Sequence, residues 1–550
     1  MQIALAQCNP IVGDIGGNTE KIRRAIRAAA EAGAGLVVFG ELAIVGYPPR
    51  DLLRKGPFVR RNAAALESLA ADCHDIAALV GFVRRTPESS GRPLQNAAAL
   101  LAGGRVQQVH VKTLLPTYDV FDETRYFEPG TEAGCVEVGG VRFGVSICED
   151  LWDAESLGRE LYGQDPIGRL RQAGAEVIIN MAASPYQMGK APVREDLFGR
   201  QARRCGAPIL YVNQVGGNDE LIFDGASSAI SQTGEVFARA KSFREDLLLV
   251  DLDRRSGRRA PLGEPMERLS AGIQLGLRDY AHKCGFRKAV LGLSGGIDSA
   301  VVAVLAADAL GPANVLCLAM PSRYSSGHSV TDAEQLARNL GVEYVEVAIE
   351  EMHAAYEKAI SGFLRPPQAA LADENIQARI RGALVMAASN ALGHLPLATG
   401  NKSELSCGYC TLYGDMCGGL APIGDLLKTV VYDLARQLNA EAGGERIPES
   451  ILTKAPSAEL KPNQFDQDKL PPYDLLDEIL RRLIEQDRTA EEILAEGFDE
   501  PTVRRVVRMV DGAEFKRRQA APVLKATARA FGAGRRMPIA QRCASGGGPA

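Results

Sequence analysis

The chain reads as two α/β domains in tandem, the second of them a doubly wound parallel sheet. Three observations predict this. A length of 550 residues exceeds what one hydrophobic core organises. Short apolar runs alternate with helix-period stretches through both halves, which is the rhythm of strand-helix-strand units. A polar run with Pro and Gly, Asp253 to Pro265, interrupts that rhythm near the middle. We therefore expect a first domain over 1–252, a linker over 253–266, a second domain over 267–536 and a disordered tail over 537–550.

The elements follow in order. Gln2–Gln7 and Leu36–Phe39 read as strands around a helix, Asn18–Ala32, which carries Ile22, Ile26 and Ala29 on one face and ends at Gly33 and Gly35. Further strands are expected at Ile76–Val83, Ala97–Leu101, Val106–Lys112, Val141–Ile147, Val177–Asn180 and Ile209–Asn213, with Leu247–Leu252 the last of this half. Beyond the linker, a helix over Glu267–Cys284 precedes an apolar strand, Ala289–Leu293, a Ser-Gly-Gly turn and an apolar helix to Leu310. Strands at Val315–Met320 and Tyr344–Ile349 alternate with helices at His328–Leu340 and Asn375–Leu392, so ligands are expected at the carboxyl ends of a parallel sheet. The proline-bearing stretch Ala455–Asp474 reads as a surface segment.

Composition narrows the partners. Apolar residues make up 46% and charged residues 24%, with a formal net charge of −5, which argues against nucleic acid or an anionic membrane as partner. The 11 cysteines are scattered rather than framework-spaced, and no basic-then-apolar leader or bilayer-length apolar run is visible, so a cytoplasmic protein with reduced thiols is expected.

The most specific motif is Ser294-Gly295-Gly296-Ile297-Asp298-Ser299, between a buried strand and a helix. Its glycines let backbone approach a ligand, and its amides join the free N–H groups of the helix start in an anion cradle. Ser294 and Ser299 add hydroxyls, and Asp298 is suited to hold a magnesium ion against phosphates. No Gly-Lys-[Ser/Thr] follows, so this is not a Walker A loop. It resembles the phosphate loop of the ATP-pyrophosphatase superfamily, whose members split ATP into AMP and pyrophosphate.

In the first half, Glu41, Lys112 and Cys148 each stand at the end of an expected strand. Together they supply a nucleophile, a proton carrier and a cation for amide hydrolysis. The stretches Lys112-Thr-Leu-Leu-Pro, Val-Ser-Ile-Cys148-Glu-Asp and Asn180-Met-Ala-Ala-Ser-Pro-Tyr186 resemble the carbon–nitrogen hydrolase, or nitrilase, superfamily. That resemblance implies an α/β/β/α sandwich with Cys148 as nucleophile, Glu41 as base and Lys112 as electrostatic support. It also implies glutamine contacts at Tyr118 and Ser184. Glu123 is a candidate for a further acidic helper, but in its polar loop it reads better as a surface residue.

The second half adds Thr399-Gly-Asn-Lys-Ser-Glu404, where Glu404 offers a second carboxylate for magnesium beside Asp298. Cysteines 407, 410 and 417 lack a matched fourth metal ligand, so their Gly- and Tyr-rich stretch reads as a substrate loop rather than a zinc site. Gly-Asn-Lys-Ser-Glu404, Gly408-Tyr-Cys-Thr-Leu-Tyr-Gly-Asp415 and Glu514-Phe-Lys-Arg-Arg resemble the NAD synthetase branch of the superfamily, and the two-domain order resembles its glutamine-dependent members. The resemblance implies ATP contacts at Ser294, Gly295, Gly296, Asp298, Ser299, Thr399 and Lys428. It implies deamido-NAD contacts at Asn375, Glu404, Tyr409, Cys410, Thr411, Leu412 and Lys516. At Leu412 ammonia-dependent members carry a lysine, so only a backbone contact is carried over there.

The implied activity is ATP-dependent amidation of deamido-NAD with ammonia released from glutamine, in a homo-oligomer, with ammonia kept neutral in an enclosed passage. Two rivals remain at this stage. One is a GMP- or asparagine-synthetase-like amidotransferase, against which the first-half motifs argue. The other is a sensor that binds without turnover.

Overall fold

A computed structural model of the chain describes residues 1–87, 90–132, 134–364 and 368–541. It divides into two compact units, Met1–Glu264 and Pro265–Ala550. Most of the expected tail, 542–550, lies outside the described residues.

The first unit holds β1 (Gln2–Gln7), β2 (Leu36–Val38), β3 (Ala77–Arg85), β4 (Leu94–Ala102), β5 (Arg105–Val111), β6 (Cys135–Val138), β7 (Val141–Ile147), β8 (Val177–Ala182), β9 (Ile209–Asn213), β10 (Val215–Asn218), β11 (Leu221–Asp224), β12 (Ser228–Ile230), β13 (Val236–Arg239), β14 (Asp246–Asp251) and β15 (Ser256–Gly257). One large sheet has the order β15-β14-β1-β2-β3-β4-β5, a second β13-β12-β9-β8-β7-β6, and β10-β11 form a separate pair. Within them β1-β2-β3 and β7-β8-β9 are parallel, and antiparallel strands extend both.

Strand alternation explains the layering. Ile3, Leu5, Leu36 and Val38 share a core with Phe143, Val145 and Ile179 of the second sheet. The intervening Ala4, Ala6, Val37 and Phe39 pack with Ile22 and Ile26 of helix Ile15–Glu31 and with Phe58 and Leu69 of helix Gly56–Ala70. Helices Pro166–Gln172 and Lys190–Cys205 contribute Leu170, Leu197 and Phe198 to the second sheet's core. The result is helix, sheet, sheet, helix.

Six short strands, β6, β10, β11, β12, β13 and β15, were not expected. They run two to four residues, and Val215-Gly-Gly-Asn218 has almost no side-chain pattern to read. The last of them, β15, lies inside the segment read as a linker and pairs there with β14 of the first unit.

The second unit holds β16 (Ala289–Gly292), β17 (Val315–Ala319), β18 (Glu343–Glu346) and β19 (Leu395–Leu397) in one parallel sheet, order β18-β17-β16-β19. The strand order reverses at β16, so the ends of β16 and β19 flank a crevice where such sheets bind ligands. Helix Gln368–Leu392 packs Ile380 and Val385 against Val290, Leu316 and Leu318. On the outer strand β18, Glu343, Val345 and Glu346 are exposed. A helical layer built on Leu476, Ile479, Val503 and Val507 completes the unit. Among the described residues no helix is long and apolar enough to cross a membrane.

Candidate functional site

In the first unit the sheets approach closely where Glu41 sits. A Cβ on Gly40 would lie 2.9 Å from the Ala182 carbonyl oxygen, so the turn after β2 can pass only as glycine. That turn delivers Glu41 into the interior, 1% exposed. Glu41 Oε1 accepts from Lys112 Nζ at 2.6 Å and from Asn96 Nδ2 at 2.7 Å, while Oε2 accepts from the Ala183 N–H at 3.1 Å. Lys112, past the end of β5, is fully buried and donates a second bond, 2.8 Å, to Glu123 Oε1.

Glu123 is therefore not a surface residue. It is buried, accepts from the Tyr47 hydroxyl at 2.8 Å, and is the second carboxylate on Lys112. Burial pushes its carboxyl up to about 7, with Lys112 opposing and Glu41 adding. Its neighbours in sequence are polar, and only the buried lysine explains its place.

Cys148 follows β7 with φ +44°, a left-handed conformation that costs a non-glycine residue about 1–2 kcal/mol and points to a constrained turn. Asn180 Nδ2 donates to the Cys148 carbonyl at 3.2 Å. Asp150 holds the turn, accepting from the N–H of Ile147 at 3.0 Å and those of Thr113 and Leu114 at 3.0 and 2.7 Å. It thereby ties the lysine's strand end to the cysteine's. Burial pushes the Cys148 thiol well above the usual range, Glu41 adds to this, and Lys112 opposes it. Burial thus favours the neutral thiol over the thiolate.

Tyr118 donates to Glu149 Oε1 at 2.9 Å, and Tyr162 donates to the same oxygen at 3.0 Å. The Ser184 N–H donates to Asn213 Oδ1 at 2.8 Å, and Asn213 Nδ2 returns to the Ser184 carbonyl at 3.1 Å. Asn96, Glu149, Asp150 and Asn213 were missed in the sequence. Glu149 and Asp150 lay inside the Val-Ser-Ile-Cys148-Glu-Asp stretch without a role of their own, and Asn96 and Asn213 carried no signal.

In the second unit a cavity of about 780 Å³ opens at the ends of β16 and β19. It is lined by every second-half candidate except Gly295: Ser294, Gly296, Asp298, Ser299, Asn375, Thr399, Glu404, Tyr409, Cys410, Thr411, Leu412, Lys428 and Lys516. Gly295 packs the other way. Its φ is +75°, and a Cβ there would sit 2.1 Å from the Ser329 carbonyl oxygen. The turn is braced by its own hydroxyls: Ser299 Oγ accepts from the Ser294 N–H at 3.2 Å and donates to the Gly296 carbonyl at 3.0 Å.

The charged centre is compact. Lys428 Nζ pairs with Asp298 Oδ2 and lies 4.0 Å from Glu404 Oε1. Asn401 caps helix Lys402–Cys407 through a reciprocal box with Glu404 and donates to Asp298 Oδ1 at 3.0 Å, so one residue orients both acids. Burial and Asp298 raise the Glu404 carboxyl well above its usual range, with Lys428 opposing. Burial works against the Lys428 ammonium, yet Asp298 and Glu404 hold it above the usual lysine value. Two hard carboxylates converging on one cation form a donor set that fits magnesium.

Around the cavity, Thr411 Oγ1 donates to Asn375 Oδ1 at 2.8 Å, and Lys516 Nζ donates to the carbonyls of Gly408 and Cys410 at 2.7 and 2.8 Å. The Leu412 carbonyl accepts from Arg379 Nε at 3.2 Å. The stretch read as a surface segment also lines the cavity, through Ser457, Glu459, Leu460, Gln464 and Asp466. Pro462, Asn463, Gln467 and Asp468 are exposed, so the stretch lies at the surface and lines the cavity from there.

Comparison with known proteins matches each half of the chain to a family. A carbon–nitrogen hydrolase family model matches residues 2–261 and an NAD synthase family model matches 269–520. A glutamine-dependent NAD(+) synthetase of Synechocystis is 49% identical, covering 98% of each chain. One of Thermotoga maritima is 42% identical, covering 98% of this chain and 99% of its own. The chain belongs to the glutamine-dependent NAD(+) synthetase family. A solved structure of such a synthetase from Acinetobacter baumannii, in complex with ADP, superposes with a TM-score of 0.78 at 39% identity over 98% of both chains. For a glutamine-dependent NAD(+) synthetase the two units take distinct identities: the first is a nitrilase-like carbon–nitrogen hydrolase domain and the second an NAD synthetase domain.

Proposed function

We propose that the chain amidates deamido-NAD to NAD, using ATP and ammonia released from glutamine. At the first site Cys148 Sγ attacks the glutamine carboxamide as its proton passes to Glu41. Lys112 steadies the charge on that carboxylate and on the tetrahedral oxygen. Glu41 hands that proton to the departing nitrogen as the intermediate collapses, which releases ammonia, leaves a glutamyl thioester and restores the Glu41 carboxylate. Water, deprotonated by Glu41, cleaves it to glutamate and restores the thiol. Glu123 keeps Lys112 in place. Tyr118 and Ser184 contact the glutamine.

At the second site the nicotinate carboxylate of deamido-NAD attacks the α-phosphorus of ATP and pyrophosphate leaves. Ammonia then adds to the acyl adenylate, AMP departs, and the amide is NAD. The cradle of Ser294 to Ser299, with Thr399 and Lys428, takes the nucleotide. Asn375, Tyr409 to Leu412, Glu404 and Lys516 take deamido-NAD. Magnesium, held by Asp298 and Glu404, would neutralise the triphosphate. With these substrates the reaction belongs in the cytoplasm, and we propose that the enzyme works as a homo-oligomer, which sedimentation of the full chain tests.

The observation that carries this reading is the presence in one chain of a buried Cys148–Glu41–Lys112 centre and of a phosphate loop opening on a dinucleotide-sized cavity. Relatives aligned over both units disfavour a GMP- or asparagine-synthetase-like activity. Incubation with glutamine, ATP and deamido-NAD should yield NAD, AMP, pyrophosphate and glutamate. Binding without these products would leave the sensor reading standing.

A further inference from the structure

Two buried residues beside the second site join its elements without reaching the cavity. We infer that Asp477 and Ser403 are positioning residues for ATP cleavage, acting through Lys428. The inference rests on the role proposed above for Lys428 at the ATP phosphates.

Helix Lys428–Ala442 begins after Leu427, which offers no side-chain cap. Its first two N–H groups are met by other helices. That of Lys428 donates to Ser403 Oγ at 2.9 Å, and that of Thr429 donates to Asp477 Oδ2 at 2.8 Å. The Ser403 hydroxyl in turn donates to Asp477 Oδ1 at 2.5 Å. One carboxylate thus serves as the missing cap and binds the helix start to helix Lys402–Cys407. Glu404 is the next residue after Ser403, so the same clamp sets the spacing of Lys428 against Glu404 and Asp298.

The helix that carries Asp477, Tyr473–Leu480, also presents Tyr473 one turn earlier on the same face. The Tyr473 ring lies over Lys428 Nζ at 5.4 Å, and its hydroxyl donates to Asp466 Oδ2 at 2.8 Å. A single helix face therefore holds the start of the lysine's helix at the Thr429 N–H and lies against the Lys428 ammonium. Asp477 and Ser403 are 1% and 0% exposed, and their hydrogen bonds all go to groups that carry the site rather than to solvent.

The test measures pyrophosphate release from ATP and deamido-NAD with ammonium chloride, on the full chain, with glutamine hydrolysis followed in parallel. Asp477→Ala should lower kcat for pyrophosphate release at least tenfold and leave glutamine hydrolysis within twofold. Asp477→Asn can still accept from Thr429 and donate to Ser403 Oγ, and should restore kcat to within threefold. Ser403→Ala should lower kcat at least threefold, and the double variant should be no more than twofold worse than Asp477→Ala, since the two act as one unit. A folded Asp477→Ala enzyme with kcat within twofold of the parent overturns the inference, as does an Asp477→Asn enzyme as impaired as the alanine one. If Asp477→Ala does not fold, Ser403→Ala decides, and an unchanged kcat there overturns it. Lys428→Ala separates the two readings. Normal pyrophosphate release by that variant defeats the role proposed for Lys428, whereas an inactive Lys428→Ala beside a normal Asp477→Ala defeats only the positioning inference.

Discussion

Glu123 shows how much one buried charge depends on its partner. Replacing it with Gln removes one of the two carboxylates on Lys112, and glutamine hydrolysis should fall by about 10²-fold, the range expected for a displaced acid–base group. Synthesis from ammonium should not change, which a comparison of the two nitrogen sources checks. The carboxyl also has a pH signature. Its folded value, about 7, lies above the ordinary 4.5, so between those values the folded state keeps a proton the unfolded state loses. Stability is then lost as pH rises through that window. The melting temperature of Glu123→Gln, relative to the parent, should shift upward between pH 5 and pH 8. Sequence reasoning placed Glu41, Lys112 and Cys148 because each follows a readable strand. Glu123 follows none, and its neighbours Asp122, Thr124 and Arg125 have the composition of a surface loop.

Among the elements, the turn after β16 carries the sharpest constraint. Gly295→Ala would place a methyl carbon 2.1 Å from a backbone oxygen at a φ of +75°. Strain of at least 1–2 kcal/mol must then distort the cradle or Ser329. Pyrophosphate release should fall by 10²-fold or more while glutamine hydrolysis persists, and parallel assays of one preparation test this. Three strands of this unit were legible because they are continuous apolar runs, as in Val315-Leu-Cys-Leu-Ala319, whereas the outer β18 begins and ends on glutamates and starts one residue before, and stops three residues short of, the expected Tyr344–Ile349. The β10 to β13 hairpins were not, since strands of three or four residues carry too few side chains for a period to emerge, and β10 has two glycines besides. Asn401 lay between these cases. Its spacing to Glu404 announces a helix cap, but the bond to Asp298 depends on the sheet bringing two distant turns together.

For the whole molecule, the division of labour is the testable property. Cys148→Ala should abolish NAD formation from glutamine, by several orders of magnitude, and leave formation from ammonium chloride largely intact. That residual activity should rise with pH, because neutral ammonia is the nucleophile. Loss of both activities in a folded variant would contradict two separable sites. This order of two chemistries could be read from motifs alone, whereas the groups that brace each centre, such as Asp150 and Asp477, emerged only with the fold. The outer strand β18 has a bearing on a different property, how concentrated the protein can become before its molecules stick together. It ends the sheet with unpaired backbone groups, a template for another strand, yet it carries exposed Glu343 and Glu346 around Val345. Two such strands brought edge to edge would juxtapose like charges. Replacing both glutamates with valine should leave each molecule catalytically competent and lower the concentration at which light scattering first detects aggregates. The carboxylates on this edge thus guard colloidal stability rather than chemistry.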